Sequence, residues 1–165
     1  MAGEFGHMPF DESGPLCGCG NVGCWETFAS NRAALRYYQE LAPESNLSWF
    51  QQLLDLAIAG DIRALRAIDR MTSYLARGLA MLVAGLAPDV IIIVGDCTAL
   101  WSRMWPMIES HLIAKSFTSR IPRVVAAVDG DVARLRGAAA LVLHKKLFRR
   151  SEFEPMQEKA STVPE

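Results

Sequence analysis

Eighteen residues near the start of the chain, HMPFDESGPLCGCGNVGC, hold three of its four cysteines and one of its three histidines. His7, Cys17, Cys19 and Cys24 fall in the pattern H-x9-C-x-C-x4-C. Three thiolates and an imidazole complete a tetrahedral zinc shell, and a shell filled by protein leaves no position for a catalytic water. The expected metal is therefore a structural Zn2+, closing residues 3–26 into a loop rather than a helix or strand. Glycines 18, 20 and 23 let the backbone turn between ligands. Cys17 and Cys19 are too close in sequence for a comfortable disulfide. Reduced, inert thiols and a redox switch are the alternatives at this point. Cys97, alone after an apolar run, reads as a small buried residue.

A metal staple accounts for four residues but not for two carboxylates. Glu4 lies three residues before His7 and Glu26 two after Cys24. A closed loop would bring both near one spot, and a carboxylate there accepts hydrogen bonds from neighbouring hydroxyls, as a sugar ring offers them. His7 has a second ring nitrogen to donate from. On spacing alone, two solvated surface glutamates are the commoner arrangement.

Composition bounds the rest. At 165 residues and 51% hydrophobic, the chain suits one folded domain. A net charge of −1 argues against a surface devoted to nucleic acid. No apolar run reaches the roughly 18 residues of a membrane span, and Glu4, His7 and Asp11 break any secretory core. The expected location is cytoplasmic, where cysteines serve more often as ligands than as disulfides.

The spacing predicts a helix over 25–41, then a turn at PESNLS with Asn46 or Ser48 capping a helix through Ile58. Gly60 ends that helix and Asp61 caps the next, whose expected core stripe is Ile62, Leu65, Ile68, Leu75, Leu79 and Leu82, ending near Gly85. APDVIIIVGD is a β-branched run typical of a strand covered on both faces. A helix over 99–114 follows, with Pro106 a potential kink, then the strand RVVAAV and a closing helix over 132–148. In that last helix the run Gly137 to Ala140 suits close backbone approach. Residues 149–165 are polar, with two prolines, and read as a disordered tail. His111 and His144 read as surface or half-buried helix residues. The basic HKKLFRR end reads as a solvated helix terminus. With two strands evident, sheet edges are open to self-association into a homo-oligomer.

GEFGHM followed by CGCGNVGCWETFAS resembles the signature of the ROK family of repressors, open reading frames and kinases: E-x-G-H, then C-x-C-G-x-x-G-C-x-E. Glu4, Gly6, His7, Cys17, Cys19, Gly20, Gly23, Cys24 and Glu26 match it position by position. The resemblance implies zinc on His7, Cys17, Cys19 and Cys24, and a small sugar held by Glu4, His7 and Glu26. It implies an α/β fold, a partial actin-like ATPase (ribonuclease H-like) lobe that is rich in helix. Residues 1–148 would form the later half of a family domain: the loop 3–26, a helical segment 27–86, and strand–helix–strand–helix over 88–148.

The family's kinases carry a D-x-G-G-T phosphate loop and an Asn-Asp pair supplying the catalytic base, and this sequence contains neither. Phosphoryl transfer needs both the phosphate cradle and the base, so no catalytic residue is expected here. The kinases also usually place two glycines after the late strand, beside the nucleotide. This chain has Gly95-Asp96, which leaves Gly95 a doubtful nucleotide contact and sets a negative charge against an anion. The expectation is the sugar-sensing part of a transcriptional regulator, touching DNA only through an upstream domain. The alternative is part of a sugar kinase.

Overall fold

The computed structural model describes residues 3–115, 121–127 and 130–148. The expected tail over 149–165 lies outside the described residues. Two compact units divide near residue 128.

In the first unit, a 3-10 turn at Phe5–His7 opens the metal loop. Four helices follow: α1 (Glu26–Ala29), α2 (Asn31–Leu41), α3 (Phe50–Ile58) and α4 (Ile62–Leu86). Then come β1 (Val90–Ile93), a 3-10 turn at Asp96–Leu100, α5 (Trp101–Lys115) and β2 (Arg123–Ala126). The strands pair in parallel, Val90 opposite Arg123 through Ile93 opposite Ala126, with α5 as the crossover. The expected single helix over 25–41 is broken: Ser30 is extended, and its hydroxyl accepts the Ala33 amide at 3.3 Å to cap α2. At α3 neither Asn46 nor Ser48 is the cap. The Gln52 carboxamide oxygen instead accepts the Ser48 and Trp49 amides, at 3.0 and 3.1 Å. Asp61 caps α4 as expected, accepting from Arg63 and Ala64.

α4 is the spine of this unit, packing against α1, α2, α3 and α5. Its core face differs from the expected stripe. Ile68 and Leu79 are buried, Leu65, Leu75 and Leu82 are half-buried, and Ile62 is exposed. Small residues take the deep positions instead: Ala64, Ala67, Ala76 and Gly78, alongside Met71 and Thr72. A leucine period finds a hydrophobic face, whereas close helix contact selects the alanines beside it. Ala87, in the left-handed region at φ 46°, ends α4 just before Pro88.

β1 is not covered on both faces: Val90 and Ile92 are exposed while Ile91 and Ile93 are half-buried. In α5, Met104, Ile108 and Leu112 point into the core. Arg103 ties α5 to α4 through a two-pronged contact with Asp69 at 2.8 and 2.6 Å. Pro106 sits inside α5.

The second unit contains one described helix, α6 (Gly130–Phe148). Leu135, Leu141, Val142 and Leu143 on it are exposed. Gly137 has nothing within 4 Å of the place a Cβ would occupy, so the expected close backbone approach does not occur there among the described residues.

Candidate metal centre and its neighbouring carboxylates

Backbone hydrogen bonds weave the loop before any ion is considered. Met8 and Gly23 form the crossing: the Trp25 amide donates to Met8 O at 3.0 Å, and the Phe10 and Asp11 amides donate to Gly23 O at 2.9 and 3.1 Å. A second turn is closed by Cys17 N to Asn21 O at 2.7 Å and Gly20 N to Cys17 O at 3.0 Å. Gly23, at φ 67°, is required: a Cβ there would lie 1.6 Å from Asp11 O. The weave carries His7 to Cys24 across a gap of seventeen residues.

The loop is fastened to α4 by an aromatic cluster. Phe10, Phe28 and Tyr74 meet with ring centroids 5.0 to 5.9 Å apart. Trp25, between Cys24 and Glu26, donates its indole N–H to Tyr74 O at 2.9 Å. It lies directly on Gly78, where a Cβ would stand 1.9 Å from the indole ring.

On this frame one ligand atom each of His7, Cys17, Cys19 and Cys24 gathers so that all lie within 4.8 Å of one another. Cys19 Sγ is 3.6 Å from Cys24 Sγ, and His7 Nδ1 is 3.5 Å from Cys17 Sγ. Zn–S and Zn–N bonds of ordinary length at tetrahedral angles give edges of about 3.5 to 3.8 Å. The donor set and its spacing therefore fit a tetrahedral, thiolate-preferring ion. Cys17 and Cys24 are buried while Cys19 is exposed, so the cluster faces solvent on one side.

The thiols differ without an ion. The Cys19 amide bond acts to lower the Cys17 thiol, but the Glu26 carboxylate, burial and the other two thiols push it up to about 12. Burial raises Cys24, and the Asn21 amide lowers Cys19. A cation held by these residues would favour the thiolate form of all three.

His7 turns Nδ1 toward Cys17, leaving Nε2 on the other side of the ring. Glu26 lies beside it, with Oε1 3.6 Å from His7 Nδ1 and accepting from Cys17 Sγ at 2.9 Å. Glu26 also runs along Gly6, where a Cβ would come within 3.4 Å of its own Cβ. Glu4 is exposed at the head of the same turn, its carbonyl accepting the His7 amide at 3.0 Å. The structure thus joins His7 to Glu26 and sets Glu4 one turn away. Gly95, at φ 137°, heads the turn after β1, where Asn31 reaches Asp96 at 3.5 Å. His111 is half-buried and His144 exposed.

Sequence reasoning missed the Cys17–Glu26 contact and the seat of Trp25 on α4. A glycine in mid-helix at position 78, unexplained by any turn, is the signal that marks such a close approach.

A family model described as ROK matches residues 1–145. The chain belongs to the ROK family. It is 41% identical over 122 residues to the xylose repressor of Bacillus spizizenii, covering 73% of this chain and 28% of the repressor. It is 33% identical over 158 residues to the N-acetyl-D-glucosamine kinase of Photobacterium profundum, covering 88% of this chain and 50% of the kinase. The fold matches a ROK glucokinase from Streptomyces griseus, solved with glucose and AMPPNP, with a TM-score of 0.74 and 29% identity over 86% of this chain and 51% of that one. A ROK transcriptional regulator described as a homologue of the E. coli MLC protein matches with a TM-score of 0.64 and 25% identity, over 74% of this chain and 33% of the regulator. The ROK chain therefore has both repressor and kinase relatives and spans about half of their length or less. Among the described residues, no helix is long and apolar enough to cross a membrane.

Proposed function

We propose that the loop over residues 3–26 is a zinc-stapled sugar grip and that the chain is the carbohydrate-sensing part of a ROK transcriptional regulator. The observation that carries this is the junction of Glu26 with the metal cluster. Glu26 Oε1 lies 2.9 Å from Cys17 Sγ and 3.6 Å from His7 Nδ1. As a zinc ligand Cys17 would be a thiolate with no proton to donate, which would leave the Glu26 carboxylate to accept from hydroxyls. His7 holds zinc through Nδ1 and presents Nε2 as a donor, and Glu4 supplies a second acceptor from the adjoining turn. A carboxylate pair with one imidazole donor suits adjacent hydroxyls of a pyranose.

The regulator reading is supported by the 41% identity to a xylose repressor and by Asp96, whose charge opposes a nucleotide beside Gly95. Sugar would act by favouring one of two domain arrangements, through unequal affinity for the two. A kinase reading rests on the glucokinase match with its TM-score of 0.74; there the same residues orient sugar for phosphorylation and Gly95 approaches the nucleotide.

Calorimetric titration of the zinc-loaded chain with xylose, glucose and N-acetyl-D-glucosamine tests the grip. Binding of one of them, abolished in Glu26→Ala with zinc content unchanged, is the expected result. Binding that survives Glu26→Ala refutes it. Titration with AMPPNP separates the two parents: saturable binding supports the kinase, and heat no greater than dilution supports the regulator.

A further inference from the structure

A cleft of about 680 Å³ opens between α4, α5 and the Phe10 end of the metal loop. Its volume lies within the range of small-molecule sites. Phe10, Met81 and Ala84 give it apolar walls, and Arg77, His111 and Lys115 stand around it. No carboxylate lines it among the described residues. The Arg77 guanidinium rests 4.7 Å over the Phe10 ring and 5.5 Å over Tyr74, so its position is fixed by stacking. None of the three makes an ion pair or side-chain hydrogen bond among the described residues. Asp11, the acidic group that feels the Arg77 field, is itself occupied by Ser13.

Arg63 pairs with Glu44, Arg70 with Glu40 and Arg103 with Asp69, whereas Arg77, like Arg32, Arg66 and Arg123, has no ion pair among the described residues. Arg77, His111 and Lys115 converge on one concavity and repel one another, with the Asp11 carboxylate a counter-charge to Arg77 from outside the lining. Burial, then Lys115 and Arg77, hold His111 below its ordinary value. An anion in the cleft relieves that repulsion, and a concave wall of one sign raises the local anion concentration. The guanidinium fork is suited to a phosphate or carboxylate. The apolar walls give no advantage to a bare inorganic ion, but they do to an anion with an organic body.

We infer that this cleft is a second ligand site, distinct from the sugar grip, for a small organic oxyanion: a phosphate monoester or carboxylate with an apolar body. Arg77, His111 and Lys115 receive the oxyanion, and Phe10, Met81 and Ala84 receive the body. The site is independent of Glu26.

The test uses the full 165-residue chain and three probes, phenyl phosphate, benzoate and inorganic phosphate, followed by amide NMR shifts and calorimetry. Phenyl phosphate should bind with a Kd on the order of 1 mM or tighter, shifting amides around Arg77 to Ala84 and His111 to Lys115. Lys115→Gln and His111→Gln should each weaken it about tenfold. Ala84→Phe, which fills the cleft and removes no charge, should abolish it. Lys115 and Ala84 are exposed, so these variants keep the wild-type circular dichroism and Tm, and Glu26→Ala keeps phenyl phosphate binding. Benzoate binding at the same amides extends the site to carboxylates, and benzoate failure with phenyl phosphate bound restricts it to phosphate esters. Absence of phenyl phosphate binding, inorganic phosphate binding as tightly as phenyl phosphate, or binding unchanged in Lys115→Gln and Ala84→Phe overturns the assignment.

Discussion

Replacing Gly78 by alanine should disturb the cysteine-rich loop through the face of α4 on which Trp25 rests. Helix propensity alone favours alanine in a helix interior by about 1 kcal/mol. Against that, the new Cβ would stand 1.9 Å from Trp25 Cε2, 2.2 Å from Cζ2 and 2.3 Å from Nε1. No rotamer of a methyl group avoids such a contact, so the indole must move. Forcing an extra methyl into a packed contact costs about 1–3 kcal/mol. Losing the indole bond to Tyr74 O, 2.9 Å in the structure, adds about 1–3 kcal/mol where the donor is left without water. The net expectation is a destabilisation of about 3 kcal/mol. Trp25 lies between Cys24 and Glu26, so its displacement should also weaken zinc in chelator competition. The assay is urea denaturation of wild type and variant, with Gly85→Ala as control. Gly85 lies in the same helix with nothing near its missing Cβ, so alanine there should stabilise by up to about 1 kcal/mol. If Gly78→Ala is as stable as wild type, or gains as Gly85→Ala does, the indole is not pressed on the helix and the reasoning fails.

Three further outcomes are expected. Purified chain should carry close to one zinc per molecule, and Cys19→Ser should lose it with at least about 3 kcal/mol of stability, since binding energy at a structural zinc is folding energy; an unchanged Tm would contradict a structural ion. Ser13 holds the Asp11 carboxyl below its ordinary 3.8, first through its hydroxyl and then through its amide. A depressed carboxylate stabilises the fold above its unfolded value and loses that contribution as pH falls through its folded value. Ser13→Ala should therefore raise the Asp11 midpoint in a carboxyl NMR titration, and an unmoved midpoint would dismiss the contact. Under the kinase reading, Asp96→Gly should strengthen AMPPNP binding by about fivefold or more, the equivalent of removing about 1 kcal/mol of like-charge opposition; equal affinity would mean Asp96 does not face the phosphates.

The candidate ligands were legible because a metal-ligand spacing is written directly in the sequence: His7, Cys17, Cys19 and Cys24 come within 4.8 Å of one another. Asp61 was legible as a cap for the same reason, a local hydrogen bond written in local residues. The break at Ser30 was not, because Phe28 and Tyr38 are both buried and suggest one continuous face. Ile62 misled through its position in a leucine-like period, whereas the tight helix contacts select Ala64 and Ala67, which carry little hydropathy signal. Contacts between distant positions, Trp25 with Tyr74 or Arg77 with Phe10, leave no period at all. They arise when the loop folds back on α4.

The left-handed exit at Ala87 has a consequence for how the two ends of the unit are gauged. Pro88 forbids another helical turn, so the spine always stops at the same place and hands the chain to β1 in one direction. The metal loop is bolted to the middle of that spine through Trp25, and the Gly95 turn hangs from the end of β1. Asn31, at the start of α2, closes the circuit to Asp96. Within this unit one helix and one strand therefore set the distance between the cysteine-rich loop and the glycine turn, as the arm of a caliper sets the gap between its jaws.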